Sequence, residues 1–283
     1  MIFLDIMKKV LRGFTPPFIY SLLSRIKISQ KKNKNKYSWQ TIRAGSLQGR
    51  HLFFPNNKEK WQENMLEGTF DQFMFDYLNK LDVSSDAVIF DIGSHIGYHA
   101  LSFASLLGDK VIVYAFEPNK YNMSVLRNNL EKNKDLLNQI KLFDFALTDK
   151  TGQEIFYFSD DINGKSSGSF IDSADTYYAK TENYLNSFKK TKVKTYSIDD
   201  LLIEDKVPVP QILKIDVEGA EAAVLKGAIN LLNKYRPLLL IEVHSIYNML
   251  VTVKLLCRMK YKIELLKEEN DGRCFIAGEP QQN

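Results

Sequence analysis

From residue 87 onward, short apolar runs alternate with stretches in which apolar residues recur every three or four positions. The runs are Ala87 to Ile92, Val111 to Phe116, Ile140 to Phe145, Gln211 to Val217 and Pro237 to Val243. Helical patterns begin near Gly97, Lys120 and Ile246, and another extends from about Ala220 to Leu232. Apolar runs without a polar face belong to strands covered on both sides. The alternation therefore predicts an α/β fold, a mostly parallel sheet with helices on both faces. Two further runs, Tyr261 to Leu266 and Arg273 to Ala277, flank the turn-forming segment Lys267 to Gly272, which predicts a terminal antiparallel hairpin.

Three segments depart from the alternation. Residues 37–86 read as a short β segment, Tyr37 to Phe54, and a helix centred on Met65 to Leu81, a prelude without chemistry of its own to a domain spanning 87–283. Within that domain, an insertion at about 150–197 is rich in Gly, Ser and Asp and then carries Tyr177, Tyr178 and Tyr184. A connection this long is functional or disordered, and it is read as a substrate-facing cap. Residues 1–36 form a basic arm in which Phe3, Met7, Val10, Leu11 and Phe14 share a helical stripe that Pro16 and Pro17 end. Two readings of the arm stay open: an amphipathic anchor on an anionic membrane surface, or a helix packed on the domain or on a partner subunit.

Charge sharpens this division. The arm holds nine Lys and Arg against one acid, Asp5, and the other 247 residues carry 29 basic and 33 acidic side chains. An acidic body repels phosphates, which argues against a nucleic-acid partner. Hydrophobic residues at 45% and charged residues at 25% exclude collagen-like, coiled-coil and wholly disordered chains. Cys257 and Cys274 have neither C-x-x-C spacing nor a histidine cluster, so no zinc site or disulfide framework is expected. The apolar start, Met1 to Ile6, precedes the positive charges, the wrong order for a secretory signal, and no apolar run reaches the roughly 18 residues of a membrane span. A cytoplasmic protein is expected, with the arm as its candidate peripheral membrane contact.

The candidate chemistry sits where strands end. Val88 to Ile92 runs into Gly93-Ser94-His95-Ile96-Gly97, a glycine loop that opens a helix and lets a ligand approach the backbone. A dinucleotide fingerprint needs glycine at His95 and Tyr98, so a ligand without a pyrophosphate fits better. Asp91 is placed to touch a ligand's amino group or to hold the loop. Glu117, ending the next strand, is placed to accept both hydroxyls of a ribose, and Asp144, ending the third, to take an adenine amino group. Glycine loop plus ribose acid without a diphosphate site describes S-adenosylmethionine better than NAD. Further along, Lys214, Asp216 and Glu218 share one face of a strand, as do Glu242 and His244 on the next. Charges in such apolar surroundings must be paired. Glu221 reads as an acid stabilised by a helix dipole.

These residues resemble the FkbM family of S-adenosylmethionine-dependent methyltransferases. The phrase Lys214 to Glu221, followed by Val224 to Ala228 and Ile241 to His244, is similar to that family's hallmark, and Asp91 to Gly97 to its glycine loop. The resemblance covers about Trp61 to His244; where many relatives have Ala-Asn in the loop, this chain has Ser94-His95. It implies a Rossmann-like class I methyltransferase, a seven-stranded sheet with the terminal hairpin, acting on hydroxyls of small molecules or sugars. It further implies that Asp91, Gly93 and Gly97 hold the methionine portion, Glu117 the ribose, and Asp144 with Ala146 the adenine edge.

Since the sulfonium is already an activated electrophile, the protein must hold the acceptor oxygen in line and help remove its proton. His244, or Asp216 acting through it, is the candidate base; Glu242 orients His244 or pairs with Lys214. No metal is predicted, although Asp216, Glu242 and His244 are chemically suited to a divalent ion. The expected acceptor is a sugar, glycan or glycolipid hydroxyl in surface polysaccharide synthesis. A small-molecule natural product is the alternative acceptor, and a non-catalytic cofactor-binding scaffold the alternative role.

Overall fold

The structure, a computed structural model, describes residues 37–159, 168–175 and 185–281. The arm, residues 1–36, and Tyr177, Tyr178 and Tyr184 lie outside the described residues.

Strands β1 (Tyr37–Thr41) and β2 (His51–Pro55) form an antiparallel hairpin. Helices α1 (Lys60–Leu66) and α2 (Gln72–Leu78) follow in place of the single helix the periodicity predicts. The break is a packing requirement: Gly68 lies so close to the backbone that a Cβ would stand 2.0 Å from the carbonyl oxygen of Ala44, and its φ is +69°. Next come β3 (Val88–Ile92), α3 (Tyr98–Leu106), β4 (Ile112–Phe116), α4 (Lys120–Lys132) and β5 (Ile140–Phe143). The run predicted to Phe145 ends at Phe143, and Asp144 is exposed at the bend that leads to β6 (Ala146–Leu147).

The insertion contributes a sheet of its own. With β7 (Gly152–Phe158), β8 (Phe170–Ile171) and β9 (Lys189–Tyr196), it builds four strands in the order β6-β9-β7-β8. In β9 Val193 and Thr195 are buried while Lys192 and Lys194 are exposed, so one face is lysine-rich and the other packs on Phe156 and Phe170.

The chain re-enters the main sheet through α5 (Ile198–Ile203), β10 (Ile212–Ile215), α6 (Glu221–Lys226) and α7 (Ile229–Lys234). One helix from Ala220 to Leu232 was the sequence expectation. Gly227 interrupts it, because a Cβ there would sit 2.0 Å from the carbonyl oxygen of Thr148. Asp199 then caps α7 by accepting from the N–H groups of Asn230 and Leu231 at 2.8 and 3.0 Å. Strand β11 (Leu238–Val243), helix α8 (Ile246–Arg258) and the hairpin of β12 (Tyr261–Glu268) and β13 (Cys274–Pro280) complete the fold.

The seven-stranded sheet runs β12-β13-β11-β10-β3-β4-β5, parallel from β11 to β5 and antiparallel at the hairpin, a class I methyltransferase fold. Alternate residues of β3 face two cores. Ile89 packs with Val113, Leu101 and the prelude residues Leu52, Phe54 and Leu66, and Phe90 and Ile92 pack with Leu213, Ile215, Val224 and Leu256. Each such fully buried side chain contributes about 1.5–3 kcal/mol. Residues 37–86 thus share the core of the domain they precede. From β3 the chain steps outward to β4 and β5, then returns to β10 and steps out the other way. Strand order reverses between β3 and β10, and ligands of open α/β sheets bind outside the carboxyl ends at such a point. Among the described residues no helix is long and apolar enough to cross a membrane.

Candidate active site

A cavity of about 920 Å³ opens over this switch point, near the upper end for small-molecule sites. At the join of β3 and β10, Gly93 adopts φ +79° and a Cβ there would stand 1.8 Å from the carbonyl oxygen of Asp216, so only glycine lets the two loops meet. The loop is tied down on every side. The N–H groups of Gly93 and Ser94 both donate to the carbonyl of Phe116, Ser94 Oγ donates to the carbonyl of Asp91 at 2.7 Å, and Asn129 Nδ2 donates to that of Ile96 at 2.9 Å.

Glu117 lines this end, 5% exposed. The backbone N–H of His95 donates to its Oε2 at 2.8 Å and that of Asn119 to its Oε1 at 2.7 Å. Burial nonetheless pushes its carboxyl up to about 7, against the pull of those donors. His95 holds φ +49°, packs its ring 5.9 Å from that of Trp61, and is pushed down to about 4 by burial.

At the other end stands a cluster of charges. Lys214 reaches Asp91 Oδ1 at 3.1 Å, Asp216 Oδ2 at 3.4 Å and the carbonyl of Gly93 at 3.2 Å. Burial alone lowers the pKa of such an ammonium; Asp91 and Asp216 outweigh it and hold Lys214 above its ordinary range. His244 is 2% exposed and donates from Nδ1 to Glu221 Oε1 at 2.8 Å. Its Nε2 lies 3.6 Å from each of Asp216 Oδ1, Glu218 Oε2 and Glu242 Oε1. Burial disfavours the imidazolium, but Glu218, Glu242 and Glu221 carry His244 well above the usual imidazole value. Burial lifts Glu218 to about 7 and Glu242 well above the carboxylate range. Arg273 reaches across from the hairpin to Glu242 at 3.0 Å and to Asp271 at 2.9 Å.

Residues 91–263, more than half the chain, match the methyltransferase FkbM domain. The chain belongs to the FkbM methyltransferase family. It is similar to the hexuronic acid methyltransferase AglP of Haloferax volcanii, 29% identical over 202 residues that cover 71% of this chain and 74% of that protein. It is also similar to the 2-O-methyltransferase NoeI of Sinorhizobium fredii, 28% identical over 157 residues that cover 53% of this chain and 61% of that one. A crystal structure of methyltransferase FkbM from Methylobacillus flagellatus shares the fold with a TM-score of 0.51 and 19% identity, over 71% of this chain and 45% of that one. The protein is a methyltransferase.

The FkbM chain brings Gly93, Glu117, Ala146, Asp216, Glu242 and His244 to the lining of one cavity. Asp91, Gly97 and Asp144 do not line it. Asp91 is fully buried behind the loop against Lys214, Gly97 (φ +89°) packs on Leu126, and Asp144 is exposed on the far side of a bend. The acid bound to Nδ1 of His244 is Glu221, and the cation bound to Glu242 is Arg273, not Lys214. Strand β10 ends at Ile215, so Glu218 (φ +52°) reaches the cluster from a turn, not from the strand face the alternation suggests. The prelude supplies Trp61, Phe70 and Phe73 and the insertion Ser169 and Phe170 to the same walls. Local sequence carries no sign of Arg273 or Trp61, since only folding brings them to residues far away in the chain.

Proposed function

We propose that this FkbM methyltransferase transfers the methyl group of S-adenosylmethionine to a hydroxyl of a sugar in a glycan or glycolipid. The observation that carries the reading is one cavity with a glycine loop and ribose acid at one end and an acidic, imidazole-centred cluster at the other. The cofactor residues fit the group. Gly93 lets a ligand lie against backbone, and Glu117, held by the N–H groups of His95 and Asn119 and by the side chain of Asn122, faces the cavity where a ribose would lie. Ala146 and Phe145 border the adenine end, while Asp91 and Gly97 hold the loop from behind. Bound there, S-adenosylmethionine supplies a methyl group already activated as a sulfonium.

The chain's own task is to position the acceptor and take its proton. Asp216 and Glu218, with side chains 24% and 29% exposed, present oxygens to the cavity, and His244 stands behind them, held in place by Glu221. Groups this close exchange one proton as a unit, so proton removal is assigned to the cluster of Asp216, Glu218, Glu242 and His244 together. Phe73 and Phe275 supply flat apolar faces against which a sugar ring can stack. Eight carboxylates line the cavity against three Lys and Arg, which suits a neutral hydroxyl-bearing acceptor and opposes a nucleic acid. The hexuronic acid in the name of AglP supports a sugar acceptor, and the 2-O-methylation in that of NoeI an oxygen-directed transfer. The basic arm, with its apolar stripe, would keep the enzyme at a membrane surface where lipid-linked sugars are built.

The test is transfer of labelled methyl from S-adenosylmethionine to an extracted glycolipid fraction, followed by acid hydrolysis and mass analysis of the sugars. An O-methyl sugar is the expected product; label confined to protein or RNA would sink the reading.

A further inference from the structure

Nε2 of His244 makes no hydrogen bond, although the residue is 2% exposed. Buried ring nitrogens are normally satisfied, and the three nearest carboxylate oxygens, of Asp216, Glu218 and Glu242, all stand at 3.6 Å, beyond hydrogen-bond range. One nitrogen facing three acids at equal distance is the arrangement of ligands around a shared centre. Asp216, Glu218 and His244 each offer a ligand atom, all within 4.8 Å of one another. Two neighbouring ligands of one ion, each about 2.1 Å from it, are themselves roughly 3.0–3.4 Å apart. The 3.6 Å separations from His244 Nε2 therefore close with shifts of a few tenths of an ångström, and the widest separation in the set, within 4.8 Å, with side-chain movement of about 1 Å or somewhat more.

The surroundings fit the same purpose. A metal-bound histidine characteristically donates its other N–H to a carboxylate, and Nδ1 of His244 donates to Glu221 at 2.8 Å. Lys214 holds Asp216 at 3.4 Å and Arg273 holds Glu242 at 3.0 Å, so the acids are themselves fixed. Counted formally, the five acids Asp91, Asp216, Glu218, Glu221 and Glu242 outnumber Lys214, Arg273 and the imidazole of His244 together, an excess of negative charge in a buried place that a dication offsets.

We propose that Asp216, Glu218 and His244, with Glu242 beside them, bind a divalent cation that receives the acceptor's hydroxyl. Carboxylates with a single imidazole suit Mn²⁺ or Mg²⁺. This role for the ion rests on the reading of this end of the cavity as the acceptor end; the binding site itself does not.

The experiment titrates Mn²⁺ into the full chain, stripped with chelator, and follows free Mn²⁺ by electron paramagnetic resonance, with Mg²⁺ as competitor. One saturable site is expected, weakened at least tenfold in Asp216→Asn and Glu218→Gln, and about 10–100-fold in Glu221→Gln, whose carboxylate stands behind the imidazole and also accepts from the N–H of Gly219. Calorimetric binding of S-adenosylhomocysteine is measured on every variant and shows that each is folded. Absence of a saturable Mn²⁺ site in the wild type would overturn the proposal, as would unchanged Mn²⁺ affinity in variants that still bind S-adenosylhomocysteine. If Asp216→Asn does not fold, Glu218→Gln, more open to solvent, decides alone. A Mn²⁺ site with the expected losses, in a protein that methylates no sugar, would leave the metal site standing and remove the acceptor reading.

Discussion

Removing the ammonium of Lys214 gives the sharpest test of how the two ends of the cavity are joined. Lys214 is 4% exposed and Asp91 fully buried, and the pair meets at 3.1 Å behind the glycine loop. Lys214→Met keeps the length and apolar stem of the side chain but strands a carboxylate that no solvent reaches. Breaking a buried pair in this way costs about 3–5 kcal/mol, a large share of the roughly 5–15 kcal/mol that holds a domain together. Removing both charges should cost far less, so Lys214→Met with Asp91→Asn is expected to recover about half of the loss or more. Urea unfolding followed by circular dichroism measures both, through the midpoint at constant slope. The single variant should unfold about 1–2 M earlier than the wild type, given a slope of about 2–3 kcal/mol per molar. A single-variant loss under about 1 kcal/mol, or a double variant no more stable than the single, would refute the assignment of Lys214 as the charge that Asp91 requires.

Other outcomes follow from the same geometry. Glu117, raised to about 7, is protonated below that pH in the free protein and must be ionised to accept ribose hydroxyls. Cofactor affinity should therefore be full above about pH 8 and fall roughly tenfold for each unit below 7, and calorimetry across pH should find that slope gone in Glu117→Gln. An identical slope in the variant would assign the titration to the ligand. Gly227→Ala forces a Cβ against the carbonyl of Thr148 and should lower stability by about 2–4 kcal/mol in a thermal melt, whereas the same change at exposed Gly108 meets no atom within 4 Å and carries only the strain of its positive φ. Phe73→Ala should raise the KM for the acceptor several-fold and leave cofactor affinity within twofold; equal losses in both would remove Phe73 from the acceptor wall.

The sheet was legible because its strands are buried on both faces: Val88 to Ile92 and Pro237 to Val243 can be little else. The helix breaks were not, since Gly68 and Gly227 are required by Ala44 and Thr148, partners that local sequence does not reveal. The strand β9 escaped notice because Lys190, Lys192 and Lys194 on its exposed face hide a pattern carried by Val193 and Thr195 alone. At the site, spacing put Asp216, Glu242 and His244 together, and the structure brings both acids to 3.6 Å from His244 Nε2 because the three stand at the ends of adjacent parallel strands. It assigned Glu221 to a helix dipole, and a carboxylate in a first helical turn earns that reading until α6 is seen to set its side chain against the imidazole of His244. Asp144 shows what spacing leaves undetermined: it follows the end of a strand as expected, yet the chain bends there and leaves its side chain exposed.

The measurement closest to the central claim is calorimetric titration of S-adenosylmethionine and of NAD into the wild type and into Glu117→Ala. The account predicts one saturable site for S-adenosylmethionine, weakened at least tenfold by the substitution because two charge-assisted hydrogen bonds are lost, and no binding of NAD. Saturable NAD binding, or S-adenosylmethionine affinity untouched in Glu117→Ala, would contradict it.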